Sequence, residues 1–159
     1  MIPTGILTIS DRASRGEYED LGGPALRTAA MELGWSIEAE ALVPDEIDAI
    51  RAAVRAFAAQ GCHLILTTGG TGIALRDVTP EALRGIFRVE LPGFGEAMRM
   101  KSFESVPNAI LSRCLAGIAD DSLVIALPGK PAGAVECLQI VAPAIPHSVK
   151  VARRQPTSC

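Results

Sequence analysis

The sequence predicts an open α/β layer architecture, and three observations predict it. Apolar strand-like runs alternate with helix-period segments in the order β, α, β, α, β as far as Thr68. The run Cys62 to Leu66 is continuously apolar, as expected of a parallel strand buried on both faces. Hydrophobic residues make up 48 % of the chain and aromatics only 4 %, so Ala, Leu, Ile and Val build the core and helices lie close on the sheet. The length of 159 residues suits one domain, 1–159.

Each element has its own local reason. "GILTI" (Gly5 to Ile9) is a short apolar run ending in Ser10 and Asp11, a buried strand feeding a polar loop, and "SDRASRGEYEDLGG" reads as that loop. Leu26, Ala29, Ala30 and Leu33 recur at helical spacing, with Gly34 as the stop. Trp35 to Val43 reads as a second strand. Pro44 and Asp45 follow as turn and N-cap, and Ile47, Ile50, Val54 and Phe57 mark one face of the next helix. Gly61 closes it before the strand at Cys62.

After the glycine-rich turn, Thr79, Pro80 and Glu81 read as N-cap, first-turn proline and acidic first turn. Pro92 to Met100 and Val106 to Leu111 suggest two short helices. "CLAGIA" and "SLVIAL", separated by Asp120 and Asp121, read as a hairpin-like strand pair. The last helix, after "PGKP", is interrupted near Pro143 and Pro146.

Composition excludes several function classes. A net charge of -3 leaves no electrostatic footprint for nucleic acid, and the basic cluster Lys150, Arg153 and Arg154 reads as a solvated helix end. Cys62, Cys114, Cys137 and Cys159 are scattered, without a CxxC pair, and His63 and His147 do not partner them, which argues against zinc. No apolar stretch reaches the roughly 18 to 20 residues of a membrane span, and "MIPTGILTISDRASRG" lacks the features of a signal peptide. Free thiols in a reducing cytoplasm fit this pattern.

The stretch "LILTTGGTGIALRDVTP" carries the first chemical signal. Gly69, Gly70, Thr71 and Gly72 follow a strand, where exposed N–H groups can cradle an anion and open sheets bind ligands. A tight turn with no ligand is equally consistent with it. Neither Walker A nor GxGxxG is present. Asp45 and Asp77 each stand just past a strand end, where two carboxylates can share Mg²⁺ with substrate phosphates, although either Asp alone reads as a cap or turn residue. Leu127 to Pro131, "LPGKP", and Ser10 with Asp11 complete one edge of strand-end loops. Arg12, Arg76, Arg113 and Lys130 lie in or near them, either for an anionic ligand or as ordinary surface charge.

The segments "TISDRASRGEYED", "VPDE", "CHLILTTGGTG", "RDVTPEAL", "PGFGEAMR", "AILSR" and "LPGKPAGAVECL" resemble, in order, the molybdopterin adenylyltransferase family. That family includes bacterial MogA and MoaB proteins and the G domains of gephyrin and its plant counterpart. The "PGFGEAMR" segment looks closer to bacterial MogA, and the C-terminal helix resembles the plant G domain. The resemblance implies a three-layer sandwich with a mostly parallel central sheet flanked by helices. It implies a cytoplasmic homotrimer that transfers AMP from ATP to molybdopterin with Mg²⁺ and hands the product to a molybdenum insertase; a non-catalytic molybdopterin-binding or scaffold module is the alternative.

Residue by residue, the resemblance makes Asp45 and Asp77 the catalytic and metal-binding acids. Ser10, Asp11, Gly69, Gly70, Thr71, Gly72, Thr79, Ser112, Pro128, Gly129 and Pro131 become the residues that bind nucleotide and pterin. Lys130 departs from the family, standing where Gln or Asn is familiar. Ala132 departs in the same way, at a position that is often polar.

Overall fold

Strand β1 (Pro3–Ile9) lies between β2 (Ser36–Val43) and β3 (Leu64–Thr68), parallel to both. β3 pairs in parallel with β6 (Ser122–Leu127), and β5 (Leu115–Ala119) and β4 (Val89–Glu90) extend the sheet antiparallel. The order β2-β1-β3-β6-β5-β4 is therefore mostly parallel, as the sequence predicts. The computed structural model describes residues 1–158; Cys159, counted above among the thiols, lies outside the described residues.

Helices cover both faces, making three layers. On one face lie α2 (Gly22–Glu32), α5 (Pro92–Phe103), α6 (Pro131–Val141) and α7 (Ile145–Ala152), which bury Leu26, Met98, Leu138 and Ile145 against Leu66 and Ile125. On the other lie α3 (Ile47–Ala59) and α4 (Thr79–Arg84), which bury Ile50, Val54 and Leu83 against Ile65 and Val124. Each fully buried Leu or Ile contributes about 1.5–3 kcal/mol. The close fit expected from small side chains is visible at Gly5, where a Cβ would stand 2.5 Å from the Phe57 ring.

Several boundaries differ from the sequence reading. β3 starts at Leu64 because Cys62, though buried, belongs to the turn after α3: its N–H donates to Phe57 O at 3.0 Å. The expected loop after β1 contains a short helix, α1 (Asp11–Ser14), nucleated by Ser10, whose Oγ accepts the Ala13 N–H at 3.1 Å. Strand β4 has no apolar run to announce it, being two residues long.

Asp45 does not cap α3: Glu46 holds that position without a side-chain cap. Nor does Thr79 cap α4. It is the first helical residue, and its Oγ1 donates to Gly69 O at 3.0 Å, so its hydroxyl ties the helix to the glycine turn. Residues 107–111 form a 3₁₀ turn. The interruption at Pro143 is present as a 3₁₀ turn over 142–144 between α6 and α7. Among the described residues, no helix is long and apolar enough to cross a membrane.

Candidate active site at the carboxyl edge of the sheet

β3 delivers the chain into the glycine turn between the ends of β1 and β6. Gly69 and Gly70 adopt φ of +105 and +67, which glycine alone tolerates readily. A Cβ at Gly69 would run into the carbonyl oxygen of Ile9. On the opposite side, a Cβ at Gly129 would stand 3.5 Å from Gly69 Cα, and Thr68 Oγ1 donates to Pro128 O at 2.7 Å. The three strand-end loops expected from the sequence thus abut at one edge.

Both candidate acids turn onto this glycine segment. Asp45 Oδ1 lies 2.9 Å from where a Gly70 Cβ would be, and Asp77 Oδ2 lies 2.7 Å from where a Gly72 Cβ would be. Asp77 Oδ2 accepts the Ala74 N–H at 2.8 Å, closing a local turn. Asp45 makes a reciprocal pair with Asp11: the Asp11 N–H donates to Asp45 Oδ2 at 2.8 Å, and the Asp45 N–H donates to Asp11 Oδ1 at 3.0 Å. Arg76 then donates to both oxygens of Asp11, at 2.8 and 3.0 Å.

These contacts separate the two acids electrostatically. The Arg76 hydrogen bonds hold the Asp11 carboxyl below its ordinary range, whereas burial pushes the Asp45 carboxyl up and the charges of Asp11 and Asp77 add to that push. Keeping Asp45 ionised in the fold therefore costs free energy at neutral pH. Asp45→Asn retains an oxygen for the Asp11 N–H and removes the charge, so it is expected to stabilise the fold modestly and raise Tm. A lower Tm in thermal denaturation would show that the carboxylate stabilises the fold.

Two cavities flank the turn. The smaller, about 130 Å³, is lined by Ser10, Gly69, Gly129 and Pro131, with Tyr18 and Asp20 from the stretch before α2. The larger, about 670 Å³, is lined by Thr71, Gly72, Ser112, Pro128 and Gly129, together with Lys130 and Ala132. Asp11, Asp45, Gly70, Asp77 and Thr79 line neither of these; Asp45, Asp77 and Thr79 instead contact the turn itself. Sequence reasoning assigned no role to Asp20, which accepts from Thr8 Oγ1 at 2.8 Å and from the Gly23 N–H at 3.0 Å. Its signal was an acidic residue immediately before "LGG". Arg99, in "PGFGEAMR", also lines the larger cavity and donates to Cys114 O at 2.7 Å.

The four candidate cations divide. Arg76 is bound to Asp11, and Arg113 to Gly72, Asp77 and Glu81. Arg12 stacks over Tyr18, with its guanidinium carbon 5.1 Å from the ring centroid. Lys130 is the one of the four that lines the larger cavity.

A divalent cation fits the acids on chemical grounds. Neither Asp45 nor Asp77 is in a salt bridge among the described residues, and the upward push on Asp45 is what a cation would relieve. No group of three His, Cys, Asp or Glu converges among the described residues. Two carboxylates outside salt bridges are the kind of donors that a hard ion keeping its waters and sharing a substrate's phosphates takes, as Mg²⁺ does.

A family described as "Probable molybdopterin binding domain" matches residues 5–147. The chain is 49 % identical over 154 residues to the molybdopterin adenylyltransferase of Helicobacter pylori strain J99, covering 93 % of this chain and 86 % of that one. It is 45 % identical over 139 residues to the enzyme of the same name from Escherichia coli K12, covering 85 % and 71 %. Among solved structures, the molybdopterin biosynthesis enzyme MoaB of Thermus thermophilus superposes with a TM-score of 0.91 at 42 % identity, covering 99 % of this chain and 100 % of that one.

Proposed function

The chain belongs to the molybdopterin-binding-domain family, and from that premise we propose that it is a molybdopterin adenylyltransferase of molybdenum cofactor biosynthesis. In this reaction a terminal phosphate oxygen of molybdopterin attacks the α-phosphorus of ATP. A new phosphoanhydride bond forms, the bond to the β-phosphate bridging oxygen breaks, and pyrophosphate leaves. The observation that carries the reading is the convergence of Asp45 and Asp77, from different loops, on the backbone of one glycine turn.

No general base is required, because a phosphate monoester, with its second pKa near 6, is already anionic at neutral pH. The barrier lies in bringing two anions together and stabilising charge on the leaving group. The Gly69 N–H is spent on Leu127 O at 3.3 Å, so the backbone N–H groups of Gly70 to Gly72 are the ones that would meet phosphate, and the missing side chains at Gly70 and Gly72 let Asp45 and Asp77 approach the same turn. Lys130 adds a cation at the mouth of the larger cavity, and Ser10, Thr71, Ser112, Pro128, Gly129 and Pro131 shape the two cavities for nucleotide and pterin. Asp45 and Asp77 would hold Mg²⁺, which when bound neutralises phosphate charge. Asp11 and Thr79 position these groups, through the Asp45 backbone and Gly69 respectively. We further propose a cytoplasmic homotrimer that hands its product to a molybdenum insertase.

The test is direct measurement of adenylylated pterin from purified protein, molybdopterin, ATP and Mg²⁺, with Mg²⁺ omitted in a parallel reaction. Product that requires both ATP and Mg²⁺ supports the reading. Tight pterin binding without product would make the chain a carrier or scaffold module instead.

A further inference from the structure

The loop from Gly72 to Asp77 carries one of the two acids, yet its tip projects into solvent: Ile73 is 69 % exposed and Leu75 fully so. One side chain from outside the loop ties the two ends of its base together. Arg113 Nε donates to Gly72 O at 2.8 Å and Nη2 donates to Asp77 O at 2.6 Å, so one guanidinium binds the first and last residues of the loop. Nη1 pairs with Glu81 at the start of α4, and the Arg113 backbone N–H donates to Thr71 O at 2.8 Å. The arginine is itself fixed between the 3₁₀ turn at 107–111 and β5.

We propose that Arg113 is the positioning residue for Asp77, holding its carboxylate against the Gly72 backbone in the geometry that adenylyl transfer needs. The proposal rests on the transferase reading above. Only a planar fork can bind two carbonyls separated by a loop and a carboxylate at once, so lysine is not an equivalent here. The other side-chain tie across the loop, Arg76 to Asp11, has an arginine 64 % exposed, where screening weakens an ion pair. Arg113 is 32 % exposed and bonds to backbone oxygens, which cannot rotate away. Its effect on the reaction passes through loop geometry, since its donors are already engaged by protein.

The experiment compares Arg113→Lys, Arg113→Ala and Glu81→Gln with wild type. Hydrogen exchange of the Ala74 and Asp77 amides is measured in ligand-free protein, and kcat and molybdopterin Kd are measured separately. Arg113→Lys is expected to speed exchange of both amides and to lower kcat about 10- to 100-fold, the scale of an ångström-sized misplacement. Pterin Kd stays within about threefold, the pattern of a lost transition-state interaction. Glu81→Gln keeps both carbonyl bonds and retains kcat within about twofold.

Unchanged exchange and kcat in Arg113→Lys overturn the proposal. So does a Kd that rises by the factor by which kcat falls, because Arg113 would then contact substrate. A Glu81→Gln loss equal to that of Arg113→Lys overturns it too, by assigning the effect to the ion pair. If Arg113→Ala does not fold, the lysine variant decides. Absence of product from wild type would instead refute the transferase reading, while the exchange data would still report on the loop.

Discussion

Asp77→Asn is expected to lower the rate of AMP transfer by about 10²- to 10³-fold, the usual cost of removing one preorganised electrostatic group from a transferring centre. The substitution isolates charge from shape. The asparagine oxygen can still accept the Ala74 N–H that Asp77 Oδ2 takes at 2.8 Å, so the local turn persists. What disappears is the charge of one of the two acids proposed to hold the cation, neither of which is in a salt bridge among the described residues. Molybdopterin affinity is expected to stay within about threefold of wild type, because binding of the ground state does not depend on charge moving to the leaving group. Raising Mg²⁺ should recover part of the lost rate. If affinity collapses and turnover falls only in proportion, Asp77 binds the pterin and has no catalytic role.

The fold was legible wherever strands are buried on both faces. β1, β5 and β6 are buried almost throughout, so their apolar runs needed no alternation to be recognised. β4 was not legible, because two residues at a sheet edge carry neither run nor period. The candidate site shows the same division between local and distant causes. Gly69 and Gly70 announce a positive-φ turn from the sequence alone, and the two aspartates could be picked out by their positions after strands. Their partners could not.

Asp45 read as a helix cap because spacing sees only near neighbours, whereas its carboxylate is taken by the N–H of Asp11, 34 residues away. Arg113 is the stronger case. Its side-chain partners Gly72, Asp77 and Glu81 lie 41, 36 and 32 residues from it, and nothing in "AILSR" predicts that a guanidinium would span a loop on another part of the chain. Local chemistry is written in composition and period; contacts between loops exist only once the sheet order brings β1, β3 and β6 side by side.

The two positive-φ glycines should therefore fail differently when given a side chain, and the difference tests how the turn is built. At Gly69 a Cβ meets the backbone carbonyl of Ile9, and φ of +105 lies outside the region that alanine tolerates. Neither obstacle can rotate aside. Gly69→Ala is expected to destabilise the protein by about 3 kcal/mol or more, combining backbone strain with a forced shift of β1 against β3. At Gly70, φ is +67 and the Cβ meets Thr79 Oγ1 and Asp45 Oδ1, both side-chain atoms. Those can move, at the cost of the Thr79 bond to Gly69 O and of the position of Asp45. Gly70→Ala is accordingly expected to fold with a loss of about 1–2 kcal/mol and to lose transferase activity out of proportion to that loss. Urea denaturation together with product formation separates the two cases. Equal destabilisation with unimpaired activity in the folded Gly70→Ala protein would mean that Asp45 need not rest against this turn, and the metal-holding role would then fall to Asp77 alone.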